Sequence, residues 1–316
     1  PDSTSLLGGP TSGTSLTGVD NTGYGDLTLN ATTTGTDNTA IGYDALTAVT
    51  TGIQNTAIGS RALYTNSVGT SNVAVGRTAL YNNTGSNNTA VGTDTLQNNT
   101  TGTPNDAFGF QALYSNTTGN ENVAIGYQSL YTNTTGAANT AIGMQTLYNT
   151  TGNSNTAVGY QSLNANTTGQ YNTAVGLQAL NNTTGSNNTF LGYNANCSQD
   201  NLSNSTAIGA NALITESNQI VLGDSSVTKV LFNGLCQATS GFKGTYNIAD
   251  DNSNATYYPV FVSGTGQKEL KIDSSSSSFS INPNTGDFVV AETLKIEGSY
   301  GSNRIAIGYL AGDINQ

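Results

Sequence analysis

The chain has 316 residues, a net charge of −11 and only 9% charged residues, while Thr, Asn and Gly number 50, 42 and 38. The absence of His excludes a His-dependent nucleophile triad and imidazole metal ligands. The acidic balance, without a basic stripe, argues against nucleic acid as a partner. No apolar run approaches the ~20 residues that span a bilayer, so no membrane insertion is expected.

A repeat of 16 or 17 residues occupies most of the chain up to residue 222. Its clearest copy begins with Asn122-Val-Ala-Ile-Gly126. We call each repeat a coil, call this glycine the anchor glycine, and number positions from it. The anchor glycines are Gly25, Gly42, Gly59, Gly76, Gly92, Gly109, Gly126, Gly143, Gly159, Gly176, Gly192 and Gly209. A second glycine follows the anchor nine or ten positions later, as Gly136 follows Gly126. Coils of 16 residues are always shorter in the stretch before this second glycine, which indicates a surface turn there.

Apolar residues keep the register of this repeat. Position −1 is Ile or Val in most coils, position −2 is Ala in nearly every coil, and position +4 is Leu in nearly every coil from Leu29 to Leu213. So thin a core is typical of a β-solenoid, in which coils fold only by stacking. Because side chains alternate along a strand, we assign Thr and Ile to the interior. Asn, Ala and Gly then form a flat outer face for a second copy. The Gly-Tyr-Gln-Ser-Leu-Tyr stretch is interpreted as a second strand or as one helical turn.

The block Asn122-Val-Ala-Ile-Gly126 and its Asn-Thr-Ala-Ile-Gly variants resemble the head repeat of trimeric autotransporter adhesins, the YadA-like head. That resemblance implies a left-handed parallel β-roll and the parallel association of three rolls. The longer form, with Ala-Leu-Tyr-x-Asn-Thr-Thr-Gly, resembles repeats in tail fibres of bacteriophages and large viruses. We therefore expect an all-β, left-handed parallel β-roll of about a dozen coils in a parallel homotrimer.

Four regions are expected along the chain. Residues 1–222 form the head, and residues 223–240 form a neck that resembles the segment ending such rolls. Residues 241–298 form a small β-rich module that resembles a tail-fibre shaft. Residues 299–316 restart a roll repeat. The start at Pro1 without a signal peptide, and the end within a repeat, suggest a piece of a longer protein or one that has released a C-terminal chaperone.

Within the shaft region, the sequence predicts several strands. Tyr257–Val262 and Glu269–Asp273 are strand-like. Phe279–Ile281 and Phe288–Val290 flank the turn Pro283-Asn-Thr-Gly286, which is the pattern of a β-hairpin.

Acidic residues and cysteines each admit two interpretations. Carboxylate pairs such as Asp94 with Asp106, or Asp250 with Asp251, suit a glycosidase or are solvated loop acids. The stretch Asp20–Asp26 has oxygen donors for calcium, or is a variant coil turn. Cys197 and Cys236 are expected as reduced thiols rather than a disulfide, which suits assembly in a host cytoplasm. No catalytic residue, metal site or cofactor is assigned.

Asn and aromatic residues are the remaining candidates for contact with glycans. Asn-x-Ser/Thr sequences, for example at Asn116, Asn133 and Asn166, are glycan sites or simply turn and ladder residues of the repeat. Recurring aromatic rings either contact sugars or cover the thin core. The aromatic residues assigned as candidate glycan contacts are Tyr64, Tyr81, Tyr114, Tyr127, Tyr131, Tyr148 and Tyr160.

The functional expectation is a trimeric fibre segment on a virion surface, as in a phage tail fibre, that takes part in host attachment. Its partners would be further copies of itself, other virion or fibre proteins, and a host glycan or protein receptor. Three alternatives stay open: a bacterial trimeric adhesin, a polysaccharide-degrading tail spike, and an ice-binding solenoid. The last requires the Thr ladder to face water, whereas the strand assignment above turns that ladder inward.

Overall fold

The computed structural model describes residues 5–31, 34–181 and 184–231, and three strands within 268–290. The chain divides into two compact units, Pro1–Val230 and Leu231–Gln316. The first unit is a parallel β-solenoid, and the described residues contain strands and turns but no helix. The strand predicted at 257–262, the roll repeat at 299–316, and Cys236 lie outside the described residues.

Each coil contributes one short strand, and these strands stack in chain order into a fourteen-stranded parallel sheet. Equivalent residues pair across coils, as when Ala157 lies opposite Ala174. The parallel solenoid predicted from the repeat is therefore confirmed. The strands of this sheet are β1 (Leu6–Gly8), β2 (Thr22–Tyr24), β3 (Thr39–Ile41), β4 (Thr56–Ile58), β5 (Val73–Val75), β6 (Asn88–Val91), β7 (Asn105–Phe108), β8 (Asn122–Ile125), β9 (Thr140–Ile142), β10 (Thr156–Val158), β11 (Thr173–Val175), β12 (Thr189–Leu191), β14 (Thr206–Ile208) and β16 (Ile220–Leu222).

Two smaller sheets complete the described strands. In the first unit, β13 (Asn196–Cys197) pairs in parallel with β15 (Leu213–Ile214). In the second unit, β17 (Lys268–Lys271), β18 (Ser278–Ile281) and β19 (Phe288–Val290) form an antiparallel sheet in that order. The pairing of β18 with β19 agrees with the predicted hairpin. A shaft role for this region stays a prediction.

The interior of the solenoid reverses the predicted strand faces. Ala at position −2 and Leu at position +4 are fully buried in coil after coil, as Ala124 and Leu130 show. Asn at position −4 also points inward, and Asn122 is almost completely buried. Ile at position −1 faces outward instead, and Ile125 is 39% exposed. The alternation was predicted correctly, but the assignment of Thr and Ile to the interior was wrong.

A ladder of buried Asn side chains explains why a polar residue lies inside. The Asn139 Nδ2 donates to the Gly152 carbonyl at 2.9 Å and to Asn122 Oδ1 at 3.2 Å. The backbone N–H of Asn139 also donates to Asn122 Oδ1, at 3.0 Å. Because the amide is hydrogen-bonded at every rung, its burial carries no unpaired polar group. An assignment based on hydrophobicity alone therefore placed the wrong side of the strand in the interior.

In the coils anchored at Gly25 to Gly176, the segment after the anchor glycine is neither a second strand nor a helical turn, and a second strand forms only in the next two coils, as β13 and β15. Gln128 and Leu130 have φ values of 53° and 52°, and the same two positions have positive φ in coil after coil. Leu rarely adopts this left-handed conformation. Two such residues turn the chain sharply and direct Leu130 into the interior, where its burial opposes the local strain.

The last coil departs from the leucine ladder. Leu213 has the register of the buried leucines, yet it is 48% exposed, and its neighbour Ile214 is fully buried. The chain is extended here as β15, so consecutive side chains point to opposite sides. The prediction that Leu213 belongs to the buried ladder was therefore wrong.

A second buried amide ladder is interrupted where a short coil follows a long one. Asn133 Nδ2 donates to Asn116 Oδ1 at 3.1 Å. The Oδ1 atoms of Asn66 and Asn133, however, are buried without a hydrogen-bond partner. In both cases the next coil has 16 residues rather than 17. In the shorter coils, Asn83 Nδ2 donates to the Gly85 carbonyl of its own tightened turn, and Thr150 occupies the place of the amide, so neither coil donates to the acceptor before it.

Inserting one Asn between Asn149 and Thr150 should stabilise the solenoid. The insertion restores a 17-residue coil and places an amide opposite Asn133 Oδ1. One buried hydrogen bond contributes about 1 kcal/mol, so the denaturation midpoint should rise. The same insertion between Thr132 and Asn133 overfills a full-length coil and should lower the midpoint. Equal effects of the two insertions would contradict this explanation.

Candidate functional site

The outer side of the fourteen-stranded sheet carries one continuous apolar strip. We call positions −3 and −1 of its strands the sheet face. Ile, Val, Phe or Leu occupies position −1 from Ile41 to Ile208, and these side chains are half-buried to exposed. Position −3 is mostly Thr, with one acidic residue, Asp106. So long an apolar strip, unlike a single exposed hydrophobic residue, is typical of an interaction surface.

The predicted Thr ladder lies on this sheet face and not in the interior. Its members are half-buried or exposed: Thr39, Thr56, Thr89, Thr140, Thr156 and Thr173. The small residues that were expected to meet a second copy, such as Ala141, are fully buried instead. The surface available for a partner is therefore threonine and aliphatic.

A second surface lies at the turn after the anchor glycine. We call positions +1, +2 and +5 the aromatic corner. Stacked rings run along it parallel to the coil axis. The ring centroids of Tyr114 and Tyr131 are 5.2 Å apart, and those of Tyr131 and Tyr148 are 5.0 Å apart. The pairs Tyr64 with Tyr81, and Phe110 with Tyr127, are stacked in the same way.

The predicted glycan-contacting aromatics fall into two groups at this corner. Tyr127 and Tyr160, at position +1, are 45% and 39% exposed. The residues at position +5 are half-buried: Tyr64, Tyr81, Tyr114, Tyr131 and Tyr148. Within a stack, ring faces cover one another, so edges and hydroxyl groups remain for a ligand. The rings at position +5 stack along the coils, which agrees with the structural role of covering the core. Sugar contact stays a prediction.

A ladder of Gln side chains at position +2 was not predicted from the sequence. It lies between the two rows of aromatic residues at positions +1 and +5, which we call the aromatic files. Gln128 Nε2 donates to Gln111 Oε1 at 2.9 Å, and Gln161 Nε2 donates to Gln145 Oε1 at 3.0 Å. Position +5 lies beside it, because Asn164 Nδ2 donates to the Gln145 carbonyl at 2.8 Å. The recurrence of Gln at position +2 in consecutive coils was the available signal.

Two ion pairs join charged residues of neighbouring coils in the described solenoid. Arg61 lies 3.5 Å from Asp44, and Arg77 lies 3.0 Å from Asp94. Asp94 also accepts a hydrogen bond from the Thr78 hydroxyl. Asp94 lies at the corner and Asp106 on the sheet face, so the structure does not bring this predicted carboxylate pair together. Asp250 and Asp251 lie outside the described residues.

The remaining candidates from the sequence are the acidic stretch 20–26 and Cys197. Within the residues that the structure describes, no three Asp, Glu, Cys or His side chains cluster as metal ligands. The calcium interpretation of residues 20–26 is untested. Cys197 is half-buried in β13.

The Asn-x-Ser/Thr sequences at the second ladder are inaccessible in the folded coil. Asn116, Asn133 and Asn166 are fully buried. The Asn116 amide donates to the Gly119 carbonyl at 3.0 Å, and Asn133 does the same to Gly136. A glycan cannot attach to a buried amide nitrogen without opening the coil. These residues therefore act as ladder residues of the repeat.

The tyrosine stack couples the stability of the solenoid to alkaline pH. Burial raises the pKa of the Tyr131 phenol above its ordinary value of 10.0, and neighbouring Tyr148, Tyr114 and Tyr127 raise it further. The folded state thus holds this proton more tightly than the unfolded state. Its contribution to stability is complete below pH 10.0 and is lost as pH rises through the folded pKa.

Tyr131→Phe should therefore reduce the alkaline loss of stability. Denaturation midpoints measured from neutral pH to above the ordinary tyrosine pKa should fall less steeply in this variant than in the wild type. Tyr43→Phe, which alters a position +1 residue of a distant coil, serves as the control. An unchanged pH slope in Tyr131→Phe would contradict the coupling.

Comparison with known proteins adds no assignment: no protein family matches the chain, and no curated protein is significantly similar to it. Among the described residues, no helix has the length and apolar character needed to cross a membrane.

Proposed function

We propose that this chain is a structural segment of a viral fibre, such as a phage tail fibre, that assembles as a parallel homotrimer and takes part in attachment to a host cell. The sheet face carries this proposal, because it is a continuous apolar strip along the solenoid. The resemblance of the Asn-x-Ala-Ile-Gly repeat to trimeric adhesin heads and tail fibres supports it. No step in this role requires catalysis.

The periodicity of the sheet face favours parallel copies in register. Most coils present one Thr or Val and one aliphatic side chain at the same two positions, as at Thr140 and Ile142, and Asp106 with Phe108 is an exception. Equivalent coils of parallel chains would bury equivalent rows, so every added coil would add contact area. Three chains around one axis would close the assembly and cover the strip on each chain.

The neutral surface suits a long stacked fibre. Identical residues recur at each ~4.8 Å step of a parallel sheet, so a charged position would place like charges close together. From Asn122 to Gln199 the chain has no charged residue. The fibre would present uncharged polar and aromatic groups to a host glycan or protein receptor, on virions outside the cell.

Charges placed on the sheet face should test the assembly. We expect the double variant Ile58→Glu, Ile142→Glu to sediment as a monomer, because assembly would bury its carboxylates. Ile53→Glu with Val68→Glu, on exposed apolar residues outside the sheet face, is the matched control and should sediment like the wild type. A wild-type chain that sediments at 32.3 kDa at micromolar concentration would contradict the assembly.

Adsorption to cells tests the attachment role separately. The fluorescently labelled wild-type protein should bind at least one strain in a panel of bacteria with differing surface polysaccharides. The monomeric sheet-face variant should bind the same strain much more weakly, because it loses avidity. An assembled protein that binds no strain would contradict attachment through this segment.

The exposed Thr ladder favours ice binding as a second candidate function. The sequence predicted that the Thr residues at position −3 face the interior, which argued against ice binding. In the structure they lie on the outer side of the sheet, so that argument no longer holds. A parallel sheet with Thr at regular spacing suits ice binding, although the neighbouring aliphatic residues fit a protein partner better. Measured thermal hysteresis would support this candidate. Its absence in both wild type and monomeric variant would dismiss it.

A further inference from the structure

We infer that the aromatic corner over the coils anchored at Gly109, Gly126 and Gly143 binds a neutral, linear polysaccharide lying parallel to the coil axis. This inference rests on the proposed attachment function and names its ligand class. We call this surface the glutamine–tyrosine patch. Its residues are Phe110, Gln111, Tyr114, Tyr127, Gln128, Tyr131, Met144, Gln145 and Tyr148.

Only in these three coils of the described solenoid do suitable side chains occupy all three corner positions. Every one of them has a large apolar or aromatic residue at position +1, Gln at position +2 and Tyr at position +5. The preceding coil has Thr93, Asp94 and Gln97 at these positions, and the following coil has Tyr160, Gln161 and Asn164. The patch is thus a distinct local surface rather than a property of the whole repeat.

The glutamine ladder supplies hydrogen-bonding groups along the axis. The bonds between Gln111, Gln128 and Gln145 use one N–H and one oxygen lone pair of the central amide. A primary amide has two N–H groups and an oxygen with two lone pairs. The second N–H and the second lone pair of Gln128 are therefore suited to sugar hydroxyls, which both donate and accept.

The tyrosines add a row of phenol groups at the spacing of a sugar chain. Successive ring centroids in the Tyr114–Tyr131–Tyr148 stack are 5.2 and 5.0 Å apart. An extended pyranose unit in a linear chain has a similar length, so each sugar would meet an equivalent set of groups. Ring faces are covered within the stack, and contact would be through hydroxyl groups and ring edges. Weak contacts repeated along the chain, and in three copies, combine by avidity.

The charge distribution selects a neutral polymer. No Lys or Arg lies between Arg77 and Lys229, so an anionic polysaccharide would find no cation on these coils. No Asp or Glu occupies a corner position in these three coils, and Asp94, at the corner position of the preceding coil, is paired with Arg77, so a cationic polymer is not favoured either. Phe110 and Met144, both at position +1 and exposed, offer apolar contact to the C–H surface of a sugar ring.

Calorimetry on the assembled chain tests the inference with defined oligosaccharides. The probes are hexasaccharides of β-1,4-linked glucose and of β-1,4-linked N-acetylglucosamine, with hexagalacturonate as the anionic comparison. We expect at least one neutral hexasaccharide to bind more tightly than its disaccharide and than hexagalacturonate. Failure of both neutral probes to bind, or tighter binding of hexagalacturonate, would overturn the inference.

Matched variants locate the site. Tyr127→Ser with Tyr148→Ser should weaken hexasaccharide binding about tenfold, or ~1.4 kcal/mol. Tyr43→Ser with Tyr193→Ser removes exposed rings from position +1 of coils that lack the Gln and Tyr files, and should change the Kd less than twofold. Equal losses in both double variants would overturn the assignment to the patch. Sedimentation of each variant verifies assembly.

The outcomes separate this inference from the proposed function. Assembled protein that adsorbs to cells but binds neither neutral probe would contradict the polysaccharide and leave the fibre function standing. A chain that stays monomeric would contradict the proposed function, whatever it binds.

Discussion

Replacing Gly126 by Ala is expected to lower the free energy of unfolding by about 2–6 kcal/mol. Gly126 has a φ of 132°, a conformation that L-residues rarely adopt, and this strain contributes ~1–3 kcal/mol. An added Cβ would also lie 2.5 Å from the Gly143 carbonyl oxygen, and overpacking of this kind contributes ~1–3 kcal/mol. Backbone of the next coil cannot rotate away as a side chain could, so the stacking itself must shift.

Chemical denaturation of Gly126→Ala and of Thr118→Ala measures this effect. Thr118 is an exposed turn residue of the preceding coil, and its substitution should change stability by no more than about 0.5 kcal/mol. A Gly126→Ala protein as stable as this control would show that the coils are not stacked as closely as described.

The second large effect is expected at the leucine ladder. Leu130→Ala should destabilise the solenoid by about 2–5 kcal/mol, because Leu130 is fully buried and the coil cannot collapse around the cavity. Leu213→Ala, at the same register position but 48% exposed, should change stability by about 0.5 kcal/mol or less. Both values come from the same denaturation experiment. Similar losses for the two variants would contradict the altered register of the last coil.

The repeat predicted the architecture well because its period leaves few alternatives. Regular anchor glycines and the recurring Ala-Ile pair required identical coils that stack in parallel, and that is the fold observed. Periodicity could not state which side of the strand is inside. That choice depends on hydrogen bonds such as Asn139 Nδ2 to Asn122 Oδ1, which join residues of neighbouring coils and leave no mark in a single repeat.

The candidate site was only partly predictable for the same reason. The aromatic files were found from their spacing, and their stacking follows from in-register coils. The turn with positive φ at Gln128 and Leu130 was missed, because neither residue favours that conformation by itself. Without that turn, the glutamine ladder could not be placed between the two aromatic files.

Disulfide trapping tests the central proposal, parallel self-association through the sheet face, most directly. In a background where Cys197 and Cys236 are replaced by Ser, Ile142→Cys should form covalent dimers on mild oxidation, because a threefold axis brings identical residues together. Val68→Cys, outside the sheet face, should assemble but form no covalent dimer. A mixture of Ile58→Cys and Ile142→Cys chains should yield only like-with-like dimers. Absence of the Ile142→Cys dimer, or efficient crosslinking of Ile58→Cys to Ile142→Cys, would contradict a parallel, in-register assembly.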